Sequence, residues 1–147
     1  MLFRSKIIKR PRNDLLNVYG PKSWALVTGA SDGIGKSFCE ELARSGFNIV
    51  LVSRTESKLQ LLAKQLKEIN KDIETKVVVF DFNIKVKLID YQKAFIGLFS
   101  DIDISILVNN VGTGFPKLFS DLPIKELRES TNVNIRKQTN EGFLVIN

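Results

Sequence analysis

From residue 23 onward, short β-branched apolar runs alternate with longer stretches in which apolar residues recur every three or four positions. That alternation predicts βαβ units, and so an α/β fold built on a mostly parallel sheet. Ser23 to Thr28 reads as the first strand. The stretch after it spaces Ile34, Phe38 and Leu42 as the buried stripe of a helix, and Gly46 suits the C′ position that would end it. Asn48 to Ser53 reads as the second strand, and its unbroken core Ile49-Val50-Leu51-Val52 predicts cover on both faces. Thr55 is placed to cap a helix that turns Leu59, Leu62, Ala63, Leu66 and Ile69 inward while Lys58, Lys64, Lys67 and Glu68 meet water. A third strand, Lys76 to Phe80, ends at Asp81, and right-handed crossover sets it beside the second. A helix from about Val86 to Phe99 would bury Leu88, Phe95 and Leu98 or Phe99. Ile104 to Asn109 reads as the fourth strand, and Leu122-Pro123 introduces a helix running to Asn134.

Length and composition fit one soluble domain: 147 residues, 44% hydrophobic and 26% charged. The formal net charge of +6 is concentrated at the start, where Arg4, Lys6, Lys9, Arg10, Arg12 and Lys22 face only Asp14. Residues 1–20 are therefore read as a basic, solvated extension and residues 21–147 as the folded domain. A basic tail is not the basic stripe across a folded face that nucleic-acid binding needs, so no nucleic-acid partner is expected. No apolar run approaches the ~20 residues of a membrane span. Cys39 is the single cysteine, which excludes a disulfide framework and suits a reducing, cytoplasmic setting for the chain as it stands. With no histidine and no acidic cluster, a transition-metal site is not expected.

The chemistry lies in Thr28-Gly29-Ala30-Ser31-Asp32-Gly33-Ile34-Gly35, placed where the first strand gives way to the first helix. Three glycines there allow a sharp turn, close approach of a pyrophosphate and close packing of the helix on its strand. The helix N-terminus offers free amides and the positive end of its dipole. The stretch reads as a dinucleotide phosphate cradle, with a purely structural glycine turn as the alternative. At the end of the second strand, where an NAD site would carry a carboxylate for the ribose hydroxyls, stand Ser53 and Arg54. A guanidinium can hold a 2′-phosphate by charge-assisted hydrogen bonds, so NADP(H) is the cofactor expected; a solvated loop arginine is the alternative.

The spacing T-G-x-x-x-G-x-G, followed by Asn109-Asn110-Val111-Gly112 at the end of the fourth strand, resembles the short-chain dehydrogenase/reductase family. The run Tyr19-Gly20 … Trp24 to Lys36 and the later Ile106 to Gly112 look like the branch containing very-long-chain 3-oxoacyl-CoA reductases and 17β-hydroxysteroid dehydrogenases. The resemblance covers residues 19 to about 135. It implies a Rossmann-type doubly wound sheet, endoplasmic reticulum location and hydride transfer between NADP(H) and a lipid-like carbonyl, 3-oxoacyl-CoA or steroid. It also implies roles. Gly29, Ser31, Asp32, Gly33, Ile34, Gly35, Ser53 and Arg54 would hold the cofactor, Asp81 would bond the adenine amino group, and Asn109 with Gly112 would line the adenine ribose. Asn134, in Asn132-Val133-Asn134-Ile135, matches the asparagine that holds a water in the family's proton relay.

The chain also departs from the family. In intact members a serine positions the carbonyl, a tyrosine donates the proton and a lysine four residues on lowers the tyrosine's pKa; the tyrosines here are Tyr19 and Tyr91, and neither has a lysine at that spacing. Gly142 to Asn147 resembles the family's fifth strand, yet seven residues separate it from Asn134, too few for the rest of the family's helix. The resemblance therefore implies an incomplete NADP-binding domain, truncated after the fourth or fifth strand, with oligomers possible only for the intact form. A non-catalytic NADP(H)-binding or regulatory module is the other reading.

Overall fold

A computed structural model describes residues 14–82, 93, 95 and 102–137. The element order is α1 (Asp14–Tyr19), β1 (Trp24–Thr28), α2 (Gly33–Arg44), β2 (Asn48–Ser53), α3 (Glu56–Ile69), β3 (Thr75–Val79) and β4 (Ile104–Val108). A 3-10 turn over Phe119–Asp121, α4 (Ile124–Thr131) and a π-helical stretch over Asn132–Lys137 follow. The four strands form one parallel sheet in the order β3-β2-β1-β4. The chain moves outward from β1 through β2 to β3, then returns to set β4 on the other side of β1. That reversal makes the crevice beyond the carboxyl ends of β1 and β4 the place where such sheets bind ligands.

Strand alternation sorts the core into two layers. Ala25, Val27, Ile49 and Leu51 face one side, where they pack with Cys39, Leu42, Ala43, Leu59, Leu62 and Leu66 of α2 and α3. Trp24, Leu26, Val50 and Val52 face the other, against Phe82, Phe95 and Val133. The double cover expected of the second strand is present, since every residue of β2 is buried. The doubly wound parallel sheet expected from the sequence is thus the observed one, with strand ends within a residue of those predicted. Of the helix placed at about Val86 to Phe99, only Lys93 and Phe95 are among the described residues; both are helical, and Phe95 is buried. The strand expected at Gly142 to Asn147 lies outside the described residues.

Several helical expectations need correction. The buried stripe of α2 is Gly35, Cys39, Leu42 and Ala43, while Ile34 and Phe38 are 70% and 47% exposed. The helix lies so close to the sheet that its inner face takes small side chains, and the larger apolar ones are displaced outward. Burial pushes the Cys39 thiol up to about 12, which leaves it protonated and inert as a nucleophile. Ile69, placed in the buried stripe of α3, is 37% exposed. Thr55 does stand at the N-cap of α3, though its side chain makes no cap hydrogen bond. Pro123 introduces α4 from its N-cap position, and the α-helix ends at Thr131, short of the expected Asn134, where the π-helical stretch takes over.

Gly46 ends α2 as expected. Its φ of +89° is accompanied by hydrogen bonds from Phe47 N to Leu42 O (3.1 Å) and from Gly46 N to Ala43 O (3.0 Å), the paired closure of a Schellman motif. Residues 14–19, read from sequence as part of a solvated extension, instead form α1. Leu16 packs on the core beside Gly46, and Tyr19 meets Phe47 edge-on at 6.3 Å between ring centroids. If α1 is part of the folded unit, Leu16→Ala should cost about 1 kcal/mol for a half-buried leucine. Urea unfolding would read this as a lower midpoint, and an unchanged midpoint would show the helix to be an appendage.

Candidate functional site

The glycine loop leaves β1 at Thr28 and turns into α2, and its position is fixed from β4. Thr28 is fully buried, and its Oγ1 accepts from the backbone amides of Asn110 (3.1 Å) and Val111 (3.2 Å). In return Asn110 Nδ2 donates to the carbonyl oxygens of Thr28 (3.1 Å) and Gly29 (3.3 Å). Two neighbouring strand ends are thereby locked around the crevice. The side chain that performs this is Asn110. Asn109, the residue singled out from sequence, is exposed at the end of β4 and outside the cavity lining. The missed signal is the pleat: Ile106 and Val108 lie on the α2 side of the sheet, and continuing the alternation turns residue 110 the same way.

Close approach is visible at Gly35, where an added Cβ would lie 2.3 Å from Gly29 O and 2.6 Å from Asn110 Nδ2. The helix start is open on its outer side, since a Cβ at Gly33 would meet nothing within 4 Å. Asp32 caps the helix, its Oδ1 accepting from Gly33 N at 2.8 Å. The amides of Ile34 and Gly35 lie in the first turn, ahead of any intrahelical acceptor. Open space before unsatisfied amides and a dipole's positive end is what a pyrophosphate requires, so the cradle fits the group expected there.

Beside the loop lies a cavity of about 230 Å³, below the roughly 300–1,000 Å³ of a complete small-molecule site and suited to one end of a longer ligand. Gly29, Ser53, Arg54, Asp81 and Gly112, all expected from sequence, line it, together with Thr113 and Val133. Ser31 joins this group through Ser53, their hydroxyls 2.8 Å apart. Arg54 is exposed and makes no ion pair among the described residues.

Asn134 sits in the π-helical stretch. Its amide brackets one backbone residue of the loop after β4: Oδ1 accepts from Thr113 N and Nδ2 donates to Thr113 O, both at 2.8 Å. The side chain acts as a clamp on the loop that lines the cavity. The resemblance matches Asn134 to the asparagine that holds a water in the family's proton relay, and the geometry gives it this contact with Thr113.

A parallel α/β sheet with a glycine turn opening its first helix and a switch-point crevice is the architecture of dinucleotide-dependent dehydrogenases. The short chain dehydrogenase family profile matches residues 23–139, and the chain belongs to that family. It is 50% identical over 123 residues to a very-long-chain 3-oxoacyl-CoA reductase of Pyricularia oryzae, a match covering 81% of this chain and 36% of that protein. It is 43% identical over 127 residues to the human inactive hydroxysteroid dehydrogenase-like protein 1, covering 84% and 36%. A short-chain dehydrogenase from Sphingobium yanoikuyae in complex with NADPH superposes with a TM-score of 0.73 at 28% identity, over 84% of this chain and 47% of that one. The chain spans about a third of the length of the curated relatives it matches. A nicotinamide cofactor and an oxidoreductase lineage follow from the family. Among the described residues no helix is long and apolar enough to cross a membrane.

Proposed function

We propose that this chain is the NADP(H)-binding portion of a reductase that moves hydride to a lipid-like carbonyl, of the 3-oxoacyl-CoA kind its relatives are named for. Arg54 carries this reading. It lines the cavity next to Ser53 at the carboxyl end of β2, the position where a carboxylate would select the ribose hydroxyls of NAD and repel a 2′-phosphate. The bound nicotinamide supplies the hydride. The chain's own residues aim it: the α2 amides hold the pyrophosphate, Asp81 and Gly112 flank the adenosine end, and Asn134 steadies the loop through Thr113. Location at the endoplasmic reticulum goes with the same reading.

The sequence contains no Tyr-x-x-x-Lys, and this favours a second reading for the 147-residue chain alone, a module that binds NADP(H) without turning it over. Both readings predict binding. NADPH at a hundredfold excess over its Kd should stabilise the fold by about 2.7 kcal/mol, NADH at the same concentration by much less, and Arg54→Gln should abolish the difference. Thermal unfolding with each nucleotide reads this directly. Equal shifts for the two nucleotides in the wild-type chain would reject the NADP(H) assignment. Oxidation of NADPH by a 3-oxoacyl-CoA at the rate of a full-length relative would reject the non-catalytic module.

A further inference from the structure

Asp32 puts a negative charge at the edge of the pocket assigned to a phosphate. The hydrogen bond between Ser31 and Ser53 holds the glycine loop against the end of β2, and Asp32 and Arg54 are the residues that follow these two bonded serines. One oxygen of Asp32 caps α2; the other, Oδ2, lies 3.2 Å from Lys58 Nζ on the first turn of α3. The Gly33 amide and then Lys58 hold the carboxyl below the usual aspartate range, so it is ionised at neutral pH. An ionised carboxylate beside a 2′-phosphate works against the attraction of Arg54. The ion pair that answers it is exposed, with side chains 55% and 80% accessible, and such pairs contribute little to stability. Its electrostatic effect on a bound anion is the remaining consequence.

We infer that Lys58 is a specificity-determining residue of the cofactor site: it cancels the charge of Asp32, so that the corner holding Arg54 carries a net positive charge toward the extra phosphate. This rests on the NADP(H) reading. Both nucleotides carry the pyrophosphate held at α2, but only NADPH adds a charged phosphate in place of a neutral ribose hydroxyl at this corner, so Lys58 affects NADPH more than NADH.

Calorimetric titration of the full chain with each nucleotide tests it. Lys58→Gln should weaken NADPH about fivefold, the scale of one screened surface charge, and NADH by distinctly less, so that the NADPH to NADH ratio falls. Asp32→Asn, which preserves the helix cap, should tighten NADPH by a similar factor. The double variant should return to within about twofold of wild type, because removing both charges restores the balance. Circular dichroism confirms that the variants are folded. If Lys58→Gln leaves the NADPH to NADH ratio unchanged while Arg54→Gln collapses it, the role of Lys58 is wrong and the cofactor reading stands. A double variant that keeps the full loss of Lys58→Gln overturns charge cancellation, since Lys58 would then act on the phosphate directly. A wild-type chain that does not prefer NADPH overturns both.

Discussion

Gly35→Ala should unfold most of this domain's margin of stability, a loss of at least about 3 kcal/mol and a fall in Tm of about 10 °C. The methyl group would arrive 2.3 Å from the Gly29 carbonyl oxygen and 2.6 Å from Asn110 Nδ2. Neither can retreat at low cost. Gly29 O belongs to the backbone of the loop, and Asn110 is held by its bonds to Thr28 and Gly29. Relief requires α2 to lift from the sheet, and that opens the layer in which Cys39, Leu42 and Ala43 pack on Ala25 and Val27. Gly33→Ala is the control. Its added Cβ has open space, and the left-handed φ of +53° is then the only cost, about 1 kcal/mol. Differential scanning calorimetry of the two variants should separate them by several degrees. Equal melting temperatures would show that the contact between α2 and the loop does not support the fold.

The same contact explains which parts of the structure could be read from residues. Strands were legible because burial on both faces leaves an unbroken apolar run: Ile49-Val50-Leu51-Val52 admits little else, and β2 falls at Asn48–Ser53 as predicted. The buried face of α2 was not, because size misleads where a helix docks closely. Ile34 and Phe38 carry the apolar period, yet Gly35 and Cys39 make the contact. α1 was hidden for a different reason. Six residues give too short a pattern, and what holds them is a tertiary contact of Leu16 beside Gly46. In the site, Gly29, Ser53, Arg54, Asp81 and Gly112 meet at one cavity although far apart in sequence, since each lies at or just beyond the end of a strand and parallel strands end together. Lys58 was taken for a solvated face of α3. Nothing in a helical period marks which lysine will find Asp32.

Thr28→Val should cost about 2–4 kcal/mol although it changes the shape of the side chain very little. Valine keeps the branched outline that β1 packs at a fully buried position, so no cavity forms. What disappears is one oxygen, the acceptor for the amides of Asn110 (3.1 Å) and Val111 (3.2 Å) and the donor to Val108 O at 3.4 Å. Two amides would then be left without their acceptor near the crevice, and each such group costs about 1–3 kcal/mol. Thr28→Ser keeps the oxygen and loses only a methyl group, about 1 kcal/mol. The order of stability should therefore be wild type, then serine, then valine, whereas hydrophobic burial alone would put valine first and serine last. Guanidinium unfolding midpoints read that order. Cofactor binding should follow it, because these two amides set where Gly112 and Thr113 stand on the wall of the cavity. A valine variant as stable as the serine variant would mean that the strand ends are held by packing, and that the bonds between β1 and β4 merely accompany it.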